Sequence, residues 1–186
     1  QVVVNHQGES FKNPTNRIGR IYSSETAHDL SKAKGWIFKE EQKSRGGLRR
    51  VVPSPEPLEI LNKDIIKQLV LQGNIVITAG GGGIPVYIDE NKDIRTVEAV
   101  IDKDFASALL AASVGADEFI ILTDVPYIYL NYKKPGQQIL EFLDYKDTLK
   151  YLEQGIFGEG DMKPKIEAAL YFLRKGGKKS IITEAT

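Results

Sequence analysis

From Leu58 onward, short apolar runs alternate with amphipathic stretches bounded by capping and stop residues, a pattern that restricts the fold to helices packed on a largely parallel sheet. Asn62 precedes a helical pattern (Ile65, Ile66, Leu69, Val70) that stops at Gly73, and Ile75-Val76-Ile77-Thr78-Ala79 reads as the strand that follows. Asp102 heads a second helix carrying Phe105, Ala106, Leu109 and Leu110, closed by Gly115, and Phe119-Ile120-Ile121-Leu122 comes at once as a strand. Asp144 caps a helix to about Glu153, Pro164 opens and Gly176 closes another, and Ser180-Ile181-Ile182-Thr183 is the last strand. Such nearly continuous apolar strands belong to a sheet covered on both faces. Residues 1–57 differ: they are polar and turn-rich, ending in Pro53-Ser54-Pro55-Glu56-Pro57. A helix is expected there from Glu25 to Lys34, with Ser24 as N-cap and Gly35 as stop, flanked by short strands at Trp36–Phe38 and Arg50–Val52. The fold class is therefore α/β, an open αβα sandwich with a mostly parallel sheet. Residues 1–57 form a small protruding, lid-like subdomain and linker, and residues 58–186 form the core. With only three or four central strands and a loop-like start, the core is expected to be incomplete at both ends.

Composition narrows the chemistry. The 186 residues hold 25 Lys+Arg against 25 Asp+Glu, so no net charge attracts nucleic acid or anionic membrane. No cysteine is present, which excludes thiolate nucleophiles and thiolate zinc sites, and His6 and His28 have no metal-pair spacing. No apolar run approaches the ~20 residues that span a bilayer. Catalysis by such a chain falls to Lys, Asp, backbone amides and a bound cation.

Four stretches suit that chemistry. A buried strand emptying into Gly80, Gly81, Gly82 and Gly83 lets backbone N–H groups approach an anion, and Pro85 and the missing Gly-Lys-Ser/Thr exclude dinucleotide and P-loop fingerprints. Asp102-Lys103-Asp104 opens a helix; its acids suit capping and the dipole, whereas Lys103 at the positive end is unfavourable unless an anion or carboxylate lies beside it. Met162-Lys163-Pro164-Lys165 is a second lysine pair at a helix start, where amides, dipole and ammonium together hold phosphate. Thr123-Asp124 ends a strand and is followed by Tyr127 and Tyr129, suited equally to a core and to flanking a planar base. Lys43, Arg45, Arg49 and Arg50 surround Gly46-Gly47, a solvated loop or a lid over phosphates.

In this order the motifs FKNPTNRIG (11–19), RGGLRRVVPSPEP (45–57), GGGGIPV (80–86), VEAVIDKDFASALL (97–110) and GDMKPKIEA (160–168) resemble the carbamate kinase family of the amino acid kinase superfamily. The resemblance implies the C-terminal, nucleotide-binding part of an amino acid kinase fold, with an N-terminal lobe lacking. It implies a phosphotransferase that interconverts ATP plus carbamate with ADP plus carbamoyl phosphate, run toward ATP in arginine or purine-derivative catabolism, using Mg²⁺ as a cytoplasmic homodimer. Lys103, Asp104 and Lys165 would be catalytic, and Thr123, Asp124, Tyr129 and Met162 would contact nucleotide. Gly80 to Gly83 would line the carbamate side, with no metal ligand of the chain's own. The alternative is a nucleotide-binding relative with weak or altered activity on another small acid. Asn16-Arg17 stands where the family has Lys-Pro, and Arg17 or Lys12 is the available replacement cation, although a planar guanidinium is no equivalent of a point charge. Lacking the lobe, the 186-residue chain alone is expected to be inactive.

Overall fold

The structure, a computed structural model, describes residues 1–41, 46–157 and 162–185; Lys43, Arg45, Gly160 and Asp161 of the motifs above lie outside the described residues. The architecture is mixed α/β and divides into two compact units, Gln1–Glu59 with Gly83–Ile101 and Ile60–Gly82 with Asp102–Thr186.

In the first unit, β1 (Val2–Val4), β5 (Pro57–Ile60), β6 (Pro85–Ile88) and β7 (Ile94–Thr96) form a sheet of order β5-β1-β6-β7, with β1 parallel to β6 and β6 antiparallel to β7. The start of the chain is thus a strand, not a loop: Val2, Val3 and Val4 are all buried, and three β-branched residues suffice once a neighbour takes up their backbone groups. After the single turn α1 (Glu9–Lys12), β2 (Asn16–Tyr22), β3 (Ile37–Glu40) and β4 (Leu48–Val52) pair antiparallel in the order β2-β4-β3. Strand β2 does not stand out in the sequence because Arg17, Gly19 and Arg20 break its apolar pattern, and a β-bulge lies between Ile18 and Ile21. The helix α2 (Ser24–Lys34) is capped one residue earlier than expected, by Ser23, whose Oγ accepts from the Thr26 N–H at 3.2 Å; Gly35 closes it in the left-handed region at φ +67°. Gly47, at φ +119°, must be glycine, because a Cβ there would overlap the Ile21 side chain.

In the second unit, α4 (Lys103–Val114) and α6 (Met162–Arg174) pack together against the parallel pair β8 (Glu118–Thr123) and β11 (Lys179–Glu184), registered from Glu118↔Lys179 to Thr123↔Glu184. The core is Ala108, Phe119, Ile121, Ala168 and Phe172, with the Phe119 and Phe172 rings 5.6 Å apart. Ala108 and Ala168 are completely buried, and side chains this small let two helices approach closely. The antiparallel pair β9 (Ile128–Leu130) and β10 (Gln138–Leu140), with α5 (Tyr145–Glu153), borders a second cluster around Phe157, Ile166 and Leu170.

The expected strand Ile75–Ala79 is not one. Residues 74–79 carry no regular structure, and Ile75 and Ile77 are 96% and 98% exposed. Alternating β-branched residues confer only a preference; a strand exists when another backbone accepts its hydrogen bonds, and no described strand pairs with this segment. The preceding α3 (Lys63–Leu71) likewise leaves Ile65 and Leu71 exposed. Because Ile77 buries almost nothing, Ile77→Lys is expected to change unfolding free energy by less than ~0.5 kcal/mol in a denaturant titration. A loss above ~1 kcal/mol would show that the segment is packed in solution.

Candidate active site

The N-terminal turn of α4 is built by its own acids. The Asp102 carboxylate accepts from the N–H groups of Asp104 (2.8 Å) and Phe105 (3.0 Å), so Asp102 is engaged as the cap. That fixes Asp104 in the first turn, on the same face as Ala108 four residues later. On α6, Lys165 shares a face with Ala168, three residues on. The alanine contact that draws the helices together therefore also sets Lys165 against Asp104.

The resulting cluster is compact. Lys165 Nζ donates to Asp104 Oδ2 at 2.8 Å, and Lys103 Nζ donates to Oδ1 and Oδ2 at 3.0 and 3.1 Å. The Lys165 and Asp104 side chains are only 9% and 10% exposed, whereas Lys103 is 53% exposed and reaches solvent. A buried ammonium is tolerated only when paired, and Asp104 supplies the pair. One carboxylate between two ammonium groups leaves a net positive charge. Each ammonium has three donors, so both retain hydrogen-bonding capacity for a further anion. Burial acts to lower the Lys103 pKa, but its hydrogen bonds to Asp104, with the charges of Asp104 and Asp102, outweigh burial and leave it above the ordinary lysine value.

The other candidates separate into groups. Thr123 Oγ1 and Asp124 Oδ1 lie 3.1 Å apart at the end of β8, bonded to each other. The Tyr129 ring stands 6.4 Å from Tyr127, edge to face, and 5.4 Å from Tyr132. Tyr132 completes this group, and its only signal in the sequence is the Tyr127, Tyr129, Tyr132 spacing at a strand end. Met162 packs on the Phe157–Ile166–Leu170 cluster. In the glycine run, Gly80 to Gly82 belong to the second unit and Gly83 to the first. Gly83 (φ +88°) has a packing reason of its own, since a Cβ there would lie 2.6 Å from Val2 Cγ2, while a Cβ on Gly80 or Gly81 would meet nothing. A cavity of about 720 Å³ in the second unit is lined by Tyr127, Ile128, Phe142, Leu170 and Ile182 among others, and neither the two lysines nor Asp104 borders it. The cavity and the charge cluster are separate features.

Both replacement cations near Asn16 are engaged. Arg17 donates from Nε (3.3 Å) and Nη2 (3.0 Å) to the Glu40 carbonyl, tying β2 to the end of β3, and Lys12 pairs with Glu9 at 3.4 Å on the surface.

Two outcomes follow from the cluster. Asp104→Asn removes the charge that Lys165 is buried against and is expected to cost about 3 kcal/mol, of which Asp104→Asn with Lys165→Met recovers a large part, read by denaturant unfolding. Because the pKa of Lys103 is raised, its contribution to stability is complete below the unfolded-state lysine value and is lost only as pH rises through the higher folded value. NMR titration of the Lys103 ammonium should place its midpoint above the ordinary lysine value; a midpoint below it would contradict the electrostatics.

The amino acid kinase family matches residues 17–184. The carbamate kinase of Thermoplasma acidophilum is 46% identical over 183 residues, covering 98% of this chain and 58% of that protein, and carbamate kinase 3 of Staphylococcus aureus is 47% identical over 182 residues with the same coverage. A solved carbamate kinase from Giardia lamblia bound to AMP-PNP superposes with a TM-score of 0.90 at 43% identity, covering 99% of this chain and 58% of that one. The chain thus spans a little under three-fifths of the length of these relatives. With the Lys103–Asp104–Lys165 cluster in an α/β frame of this topology, the chain belongs to the amino acid kinase family.

Proposed function

We propose that the full-length protein transfers a phosphoryl group between ADP and carbamoyl phosphate, with Lys103 and Lys165 as the charges that hold the group in flight. The observation that carries this is two ammonium groups bonded to one carboxylate at the heads of two packed helices. In the ATP-forming direction, an oxygen of the ADP β-phosphate forms a bond to phosphorus as the bond from phosphorus to the carbamate oxygen breaks, and carbamate leaves. Negative charge spreads over the equatorial oxygens in transit, and little covalent help is needed. Lys165, buried and fixed by Asp104, meets that charge without reorganising; Lys103, half-exposed, follows it. Asp104 orients both and offsets part of their mutual repulsion.

Thr123, Asp124 and the Tyr127–Tyr129–Tyr132 group are the nucleotide side of this reading, with Met162 behind them, and Gly80 to Gly83 are the carbamate side. Similarity to carbamate kinases over nearly the whole chain, one of them bound to AMP-PNP, supports it. Both Asp104 oxygens are occupied by ammonium donors, and no group of three acidic or imidazole side chains among the described residues is arranged to hold a metal. In this reading Mg²⁺ enters on the nucleotide phosphates as part of the substrate.

A second reading, a nucleotide binder with altered acid specificity, rests on Asn16 together with the engagement of Arg17 by Glu40. Formation of ATP from ADP, Mg²⁺ and carbamoyl phosphate by the full-length protein tests the first reading. Lys165→Met and Lys103→Met should each lower kcat by about 10² to 10³ with KM changed far less. Absence of turnover in the wild type, with ADP still bound, would favour the second reading, and a gain on Asn16→Lys would then locate the lost charge.

A further inference from the structure

Glu184 ends β11 and stands directly opposite Thr123, the end of β8, in a parallel register that also sets Ile182 opposite Ile121. Alternate residues of a strand share a face, so Thr123 and Glu184 lie on the face of Phe119, Ile121 and Ile182, which packs against Ala108 of α4 and Ala168 of α6. Chain direction then fixes the end of that face. α4 leads into β8 and α6 into β11 through tight reversals, in which the Ala116 N–H donates to the Ala111 carbonyl at 2.9 Å and the Gly177 N–H to the Phe172 carbonyl at 3.2 Å. Each helix therefore runs antiparallel to the strand that follows it. The helices have 12 and 13 residues and the strands six each, and all four elements are about 20 Å long. The first turns of α4 and α6, which carry Lys103, Asp104 and Lys165, thus lie at the same end of the same face as Thr123 and Glu184.

We infer that Glu184 is a specificity-determining residue that accepts a hydrogen bond from a ribose hydroxyl of the nucleotide, an assignment that rests on the phosphotransfer reading above. Its side chain is partly buried and has no hydrogen bond or ion pair among the described residues. The hydroxyl opposite it, Thr123 Oγ1, is turned to Asp124 Oδ1 at 3.1 Å and supplies no donor. A partly buried carboxylate with open acceptor sites costs stability until a donor reaches it. Ionised, Glu184 can only accept. Phosphate oxygens are acceptors of like charge, so they belong at Lys103 and Lys165 and not beside Glu184. A ribose brings neutral hydroxyl donors, and hydrogen bonds to a charged acceptor are the strong kind. The charges at this end of the face therefore orient a nucleoside diphosphate, with its phosphates toward the two ammonium groups and its sugar toward Glu184.

Calorimetric titration of the full-length protein with Mg²⁺–ADP and with the Mg²⁺ complex of 2′,3′-dideoxy-ADP tests this in wild type, Glu184→Gln and Glu184→Ala. The wild type should bind ADP about tenfold more tightly than the dideoxy analogue. Glu184→Ala should weaken ADP about tenfold and leave the analogue within about twofold of its wild-type affinity. Glu184→Gln keeps the shape of the side chain and a neutral acceptor, so it retains the fold and should fall between wild type and Glu184→Ala for ADP. A structural or long-range electrostatic role would move both nucleotides alike in both variants. That result, or unchanged affinity for ADP in both variants, overturns the assignment. A wild-type protein that binds neither nucleotide overturns the phosphotransfer reading itself, and the assignment falls with it.

Discussion

The buried ion pair between Lys165 and Asp104 is the constraint on which the site depends. Neither group is stable in that position alone, because an unpaired charge at the edge of an apolar core carries a desolvation cost of several kcal/mol. Each is held by a helix whose packing is decided elsewhere, by Ala108, Ala168 and Phe172. The pair therefore registers α4 against α6 as much as it serves any ligand. Lys103 adds a second ammonium to the same carboxylate from the solvent side. The result is a site with a rigid inner cation and an accessible outer one, carrying an excess of positive charge where two helix N-termini begin.

Much of this was legible in the sequence, and for physical reasons. Capping obeys local rules, so Asp102 and Asp144 were found as caps and Gly35 and Gly115 as left-handed stops. Lys103 stands out because a cation at a helix N-terminus needs an anion beside it, and that anion is Asp104. The contact with Lys165, 61 residues away, has no local signature; only the helix starts and the alternating pattern hinted that both belonged to one edge. The readings that differ are those in which tertiary partners decide. Val2–Val4 is a strand because β5 and β6 flank it, despite polar surroundings. Ile75–Ala79 has the stronger strand composition and is not one, because no described strand pairs with it. Strand propensity is a statement about a surface waiting for a neighbour, and it fails in both directions when the neighbour is not local.

The departure at Asn16 takes on a definite meaning in the structure. Arg17 might be regarded from sequence as a substitute cation, but its guanidinium caps the end of β3 through the Glu40 carbonyl, which is a structural duty within the three-stranded sheet. The Lys103–Asp104–Lys165 cluster is therefore the phosphate site we propose, and the segment 74–79 and α3 leave apolar side chains exposed, Leu71, Ile75 and Ile77 among them.

The account stands or falls on whether the lysine cluster holds phosphate. Calorimetric titration of Mg²⁺–ADP, at low and moderate salt, into the wild-type chain and into Lys103→Met is the most direct measurement, since Lys103 is accessible and its removal leaves the buried pair intact. The account predicts that the variant binds about three- to tenfold more weakly, with a shallower dependence on salt, while unfolding free energy is unchanged within ~0.5 kcal/mol. Equal affinity and equal salt dependence in the two proteins would show that the Lys103–Asp104–Lys165 cluster is a packing device and that nucleotide phosphates bind elsewhere.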